Sequence, residues 1–198
     1  MPLKLCVAQL NFVVGDMAGN AQKIIDCARS AYDRGARLVL TPELSVCGYA
    51  AEDLFLRPAF IAACDDAVKT IAQALAGLKG LHVVIGHPSG GDARTRSVSV
   101  QQRHNCATVV REGQVLARYA KRELPNYQVF DERRYFVPGD RPCVFEVDGV
   151  RVGLLICEDA WFEAPARRTV GASMHRPRSR RIHTPQNWAH VRPAWCRR

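Results

Sequence analysis

Short apolar runs alternate with longer stretches of helical period over residues 4–85, and this alternation restricts the chain to a layered α/β fold. Residues 4–14 read as a first strand, punctuated by Gly15-Asp16. Asn20 is expected to cap a helix whose inner face carries Ile24, Ala28, Ala31 and Tyr32 and which Gly35 ends. Residues 36–40 form a second short strand, stopped by Thr41-Pro42 and followed at once by Glu43. Pro58 opens a second helix with Ile61, Cys64, Val68, Ile71 and Leu75 at helical spacing. Residues 81–85 give a third strand, expected to turn at Gly86-His87-Pro88 into a polar loop that reaches about Arg103.

The second half reads as strand pairs. Residues 106–110 and 115–119 flank a compact turn at 111–114, and residues 144–147 and 150–156 flank the two-residue turn signal Asp148-Gly149. The segment between them, KRELPNYQVFDERRYFVPGD (121–140), has no clean period but is dense in aromatic and charged residues. A long irregular loop inside a compact domain is usually functional or disordered, and the aromatics argue against disorder. There is no internal repeat, and the loop at 89–103 is too short to divide domains.

The net charge of +9 would suit a nucleic-acid partner, but its distribution does not. Residues 1–166 hold 19 Lys and Arg against 19 Asp and Glu, so the whole excess sits in residues 167–198, which hold nine Arg and no acid. No run approaches the ~18 apolar residues that span a bilayer. The opening MPLKLCVAQLNFVVGD places Gln9 and Asn11 within its apolar stretch, so it reads as a core strand rather than a signal peptide. None of the eight Cys stand at C-x-x-C or zinc-finger spacing, which points to a reduced, cytoplasmic chain without a metal site.

Three reactive residues share one placement. Glu43 follows the strand 36–40, Lys121 follows 115–119 and Cys157 follows 150–156. Ligands of α/β sheets bind beyond the carboxyl ends of the strands, so the three are positioned to meet at one rim. Singly, each also fits a plainer role: Glu43 and Lys121 as solvated charges, Cys157 as a core thiol at a strand end. Together they make coherent chemistry. A carboxylate takes the thiol proton, the sulfur attacks an amide or nitrile carbon, and the ammonium steadies the oxyanion beside a backbone N–H.

TPELSVCGY (41–49), YAKRELPNY (119–127) and LLICEDAW (154–161) resemble the Glu, Lys and Cys motifs of the nitrilase, or carbon–nitrogen hydrolase, superfamily. Together with LKLCVAQLNFVVGDMAGN, YAAEDLFLRPAF, GHPSG and KRELPNYQVFDERRYF, they are similar to the N-terminal glutaminase domain of glutamine-dependent NAD synthetases, from about residue 3 to residue 166. The resemblance implies a four-layer α-β-β-α sandwich, incomplete at the C-terminus. It implies Glu43 as general base, Lys121 as the cation at the oxyanion and Cys157 as the nucleophile that takes the glutamyl group. Glu132 matches a supporting Glu that holds the Lys121 side chain. Tyr127 matches a position that contacts substrate glutamine, and Phe130 would shape the same pocket.

The partners implied are L-glutamine and a synthetase domain that uses ATP and Mg to amidate deamido-NAD. Glutamine hydrolysis itself needs no cofactor, and the full-length family is homo-oligomeric. No Ser-Gly-Gly phosphate loop of a synthetase is present, and Ser89-Gly90-Gly91-Asp92 reads as an accidental match in a surface loop.

After Ala166 the family pattern gives way to the Arg-rich segment 167–198, which has three His, three Pro and two Trp. It reads as a disordered tail or an out-of-frame continuation, which would leave strand edges and apolar faces uncovered, with aggregation and little glutaminase activity as the expectation. The rival readings are a stand-alone amidase of the same superfamily, an inactive truncated fragment, and a nucleic-acid binder acting through the tail with Trp188 and Trp195. The neutral body disfavours the last, and nothing suggests a membrane.

Overall fold

The computed structural model describes residues 2–90 and 102–174. A five-stranded sheet runs in the order β1 (Leu5–Val7), β2 (Leu38–Leu40), β3 (His82–Gly90), β4 (Arg103–Arg111), β5 (Gln114–Ala120). The first three strands are parallel, and the remaining pairs are antiparallel. The parallel connections need crossovers, supplied by α1 (Met17–Asp33) and α2 (Pro58–Ala74). A hairpin of β6 (Val144–Val147) and β7 (Val150–Gly153) makes a second sheet, and α3 (Glu163–Met174) packs on that hairpin.

The order of layers follows from strand alternation. On β3, Val83 and Ile85 join Ile24, Ala28, Val68 and Ile71 in a core against the two helices. Val84 faces the other way with Val109, Tyr119, Phe145, Val147 and Ile156, between the two sheets. Helices, sheet, hairpin and α3 are thus stacked in succession. The close fit of α3 depends on Gly153, where an added Cβ would stand 2.3 Å from Cγ2 of Thr169.

Several sequence expectations hold. Pro58 is the first residue of α2, where its missing N–H costs nothing. Asp148 and Gly149 form the β6–β7 turn with φ of +48° and +82°, and Glu112 and Gly113 do the same for β4–β5 at +48° and +84°.

Others need correction. The first strand is only Leu5–Val7, because beyond Ala8 the chain leaves the sheet and bonds to the Asn20 side chain. Asn20 is not the helix cap. Asp16 is, accepting the Gly19 N–H at 2.8 Å, while Asn20 lies within α1, buried, and bonds Val13 and Val46. Gly86-His87-Pro88 is not a turn, since β3 runs straight through it to Gly90, paired with β4. Pro88 is tolerated there for a reason visible in the ladder. Its partner Asn105 bonds toward β5 through its carbonyl, so Pro88 points its nitrogen away from β4, and β2 reaches only as far as Val84. Ser89 and Gly90 consequently end a strand rather than start a loop, and Gly91 and Asp92 lie outside the described residues.

The compositional change at Ala166 falls inside α3, which carries helical backbone through to Met174. Residues 175–198, the greater part of the Arg-rich tail, and residues 91–101 of the polar loop lie outside the described residues. Among the described residues no helix is long and apolar enough to cross a membrane.

Candidate active site

Lys121 is the first residue past β5, Glu43 lies three residues past β2, and Cys157 lies four past β7. That last strand ends at Gly153 rather than at the expected Ile156, and each of the three segments has its own anchor. Thr41 makes the last bond of β2, its N–H donating to Val84 O at 3.0 Å, and Pro42 stops the ladder. The chain then coils tightly, with Gly48 N–H donating to Leu44 O at 2.9 Å and Leu44 at φ +54°. This coil is pressed onto β3 at Gly86. Ser45 Oγ and Val46 N–H donate to Gly86 O, while an added Cβ on Gly86 would stand 2.3 Å from Pro42 O and 2.7 Å from Leu44 N. Glu43 is held over the rim by that close approach.

Lys121 directly follows β5. Its backbone N–H donates to Asn105 O and its carbonyl accepts from Gly139 N–H, both at 2.8 Å. Its side chain is fully buried, and its Nζ donates to Glu43 Oε1 and Glu132 Oε1, each at 2.7 Å. Burial alone would lower the pKa of this ammonium, but Glu43 and Glu132 outweigh it and raise the pKa above the usual lysine range. Burial and the charge of Glu43 push the Glu132 carboxyl up, offset in part by its bond from Lys121. Two of the three ammonium protons are engaged by carboxylates, which leaves one for a ligand.

Cys157 is exposed, and opens a 3₁₀ turn, Cys157–Trp161, from a left-handed backbone conformation at φ +46°. For a residue with a Cβ that conformation is sparsely populated, and such residues cluster at functional sites. Partial burial of the thiol, then the charge of Glu43, push the Cys157 pKa up to about 11, with Lys121 opposing. The thiol is therefore protonated at neutral pH and lies in the field of the carboxylate that could deprotonate it. Glu43 and Cys157 line one cleft of about 260 Å³ together with Thr41, Gly86, Cys106 and Ile156. A larger cleft of about 580 Å³ opens beside β1 around Cys6 and Cys27, and it contains none of these groups.

The structure thus brings together Glu43, Lys121, Glu132 and Cys157. Tyr127 is half exposed, and its hydroxyl donates to Glu158 at 3.1 Å. Phe130 packs edge-on against Tyr127, with ring centres 5.6 Å apart, and so reaches the site through that ring.

Four residues escaped the sequence reading. Asn105, fully buried on β4, donates through Nδ2 to Glu43 Oε1 at 2.7 Å and to Glu132 Oε2 at 3.3 Å. Together with Lys121 it closes a ring of two donors and two carboxylates, and a polar residue mid-strand in HNCATVV was the only available signal. Tyr49 stands in the field of all four central groups. Burial, then Glu132 and Glu43, push its phenol up to about 12. Glu158 and Asp159, inside the motif around Cys157, are both buried. Among the described residues, no group of three or more His, Cys, Asp or Glu side chains could hold a metal ion.

A buried Lys bridging two carboxylates thus stands beside an exposed Cys with a left-handed backbone. The chain belongs to the carbon–nitrogen hydrolase family, whose model matches residues 4–190. It is 46% identical over 171 residues to the glutamine-dependent NAD(+) synthetase of Xylella fastidiosa (strain Temecula1), covering 85% of this chain and 29% of that one. It is 39% identical over 175 residues to the enzyme of the same name from Thermotoga maritima, covering 87% and 29%.

Among solved structures, it resembles the glutamine-dependent NAD+ synthetase of Acinetobacter baumannii, with a TM-score of 0.73 and 37% identity over 84% of this chain and 30% of that one. It also resembles a mutant of the amidase from Nesterenkonia sp. AN1 that shows the result of Michael addition of acrylamide at the active site cysteine. There the TM-score is 0.70 and the identity 27%, over 86% and 63% of the two chains. The chain spans about three tenths of the length of the curated relatives it matches.

Proposed function

We propose that this chain carries the glutamine-hydrolysing site of an NAD synthetase, with Cys157 as nucleophile, Glu43 as general base and Lys121 as oxyanion cation. The observation that carries the reading is the Glu43–Lys121–Glu132 bridge, with Glu43 and the exposed Cys157 lining one cleft. As Sγ bonds to the amide carbon of L-glutamine, its proton passes to Glu43, and the carbonyl oxygen takes up negative charge. The free N–H of Lys121 and the backbone N–H after Cys157 receive that oxygen. Collapse of the tetrahedral intermediate moves the proton from Glu43 to the departing nitrogen and releases ammonia, leaving a thioester. A water, deprotonated by Glu43, then releases glutamate.

Glu132 positions Lys121. Glu158, an anion beside Cys157, suits the α-ammonium of an amino-acid substrate, with Tyr127 and Phe130 forming that wall. The ammonia would serve a synthetase domain that amidates deamido-NAD with ATP and Mg, in a cytoplasmic homo-oligomer. In this reading residues 1–166 supply the glutaminase machinery, and 167–198 add nothing to its chemistry.

The test is ammonia release from L-glutamine by the chain and by Cys157→Ala. Turnover should fall by about 10⁴-fold or more in the variant. Equal release by both would sink the assignment of the nucleophile. The likeness to the Nesterenkonia amidase supports a second reading, an amidase for simple amides. Preference for acetamide or propionamide over glutamine would establish it.

A further inference from the structure

Asp159 is fully buried two residues after Cys157, and each of its carboxylate oxygens accepts two hydrogen bonds. Oδ1 takes the backbone N–H groups of Arg122 at 3.0 Å and Glu123 at 2.8 Å. Oδ2 takes the Tyr119 hydroxyl at 2.8 Å and the backbone N–H of Ile156 at 3.0 Å. Three of these donors flank Lys121, and the fourth immediately precedes Cys157. The Asp159 N–H also donates to Ile156 O at 3.0 Å, so the turn is closed on itself as well as on its neighbour.

We propose that Asp159 is a positioning residue that clamps the Cys157 turn to the Lys121 arm, fixing the thiol relative to Glu43 and the ammonium. The inference rests on the reading of Cys157 as nucleophile given above. The carboxylate suits this task because it is acceptor-only, and three of its four donors are main-chain groups that cannot rotate away. The left-handed conformation of Cys157 needs such support, since strained backbone persists only where its surroundings over-determine it. An Asn at this position would present an NH₂ to at least one backbone N–H whichever way the amide turns. A Glu would carry the carboxylate one methylene too far.

Alkylation of Cys157 by chloroacetamide, followed on its own peptide by mass spectrometry, reads the thiol–Glu43 arrangement without any turnover. At pH 7 the thiol is protonated, and Glu43 must take its proton as sulfur attacks. With Asp159→Asn, in protein that still melts cooperatively, the rate should therefore fall about tenfold or more, because small misplacements of reacting groups are costly. If Asp159 acts through that alignment, the same change made on top of Glu43→Gln should cost less than about twofold. A purely structural carboxylate would give the same loss in both backgrounds. That result, or a rate within about twofold of the parent protein, overturns the proposal.

If Asp159→Asn does not melt cooperatively, Tyr119→Phe carries the comparison, since it removes one of the four bonds. About a threefold loss that disappears in the Glu43→Gln background is expected, and no difference between backgrounds overturns the proposal. Glutamine hydrolysis measured on the same samples keeps the two readings apart. Turnover that survives Cys157→Ala refutes the glutaminase assignment but leaves the alkylation comparison to judge Asp159.

Discussion

Strands β3, β4 and β5 carry two buried polar networks, one at the rim and one on the side facing α2. At the rim, Lys121 and Asn105 donate to Glu43 and Glu132, and the free side of that ring meets an exposed thiol. On the helix side, His87 donates through Nδ1 to Pro88 O at 3.0 Å and accepts the Thr108 hydroxyl through Nε2 at 2.7 Å. Arg118 donates to Thr108 and to Ser89, and Ser89 donates to Asp65. Burial, then the charge of Arg118, lower the His87 pKa to about 3, so the ring is neutral. A histidine satisfied at both nitrogens has nothing left to offer a ligand. The rim keeps its charges because opposite charges surround them, and it retains one unspent ammonium proton. Reactivity follows from what a buried network leaves over.

Four changes would break or sharpen that contrast. Lys121→Met should have the largest effect, because it leaves buried Glu132 and partly buried Glu43 facing each other unpaired. The loss should be about 3–5 kcal/mol of stability, read by denaturant unfolding. Gly86→Ala should follow. Its Cβ would collide with Pro42 O and Leu44 N, displace Glu43, and lower hydrolysis by about 10²-fold while the helix-side network stays intact.

His87→Leu should do the reverse, costing about 1–3 kcal/mol through the orphaned Thr108 and Pro88 partners with turnover unchanged. Because the folded pKa lies below the ordinary histidine value of about 6.5, His87 contributes its full stability above about pH 6.5 and loses it as the pH falls toward 3. The slope in that window is up to about 1.4 kcal/mol per pH unit, and His87→Leu should flatten it. Last, the Cys157 thiol should titrate near pH 11 in alkylation. Glu43→Gln should move that midpoint down by about one unit, as the anion that opposes thiolate is removed.

Glu43, Lys121 and Cys157 could be found from sequence because each closely follows an apolar run, a local pattern, although the strand expected over 150–156 ends at Gly153 and residues 154–156 continue as irregular chain. Asn105 and Asp159 could not. Asn105 matters through carboxylates 62 and 27 positions away, and Asp159 through donors 36 and 37 positions away. Such pairings are set by strand register rather than by neighbouring residues. His87 was hidden for the opposite reason, since Gly86 and Pro88 signal a turn that the β3–β4 ladder overrides.

The depth of Lys121 also decides how the site can be labelled. Lys4, Lys69 and Lys79 lie at the surface, whereas the Lys121 amine has no exposure at all. Acetic anhydride should therefore acetylate those three and spare Lys121 in the folded chain, while thiol reagents reach Cys157. A covalent probe or inhibitor for this centre must be an electrophile for sulfur, and the spared lysine becomes an internal gauge of whether the protein was folded when it was labelled.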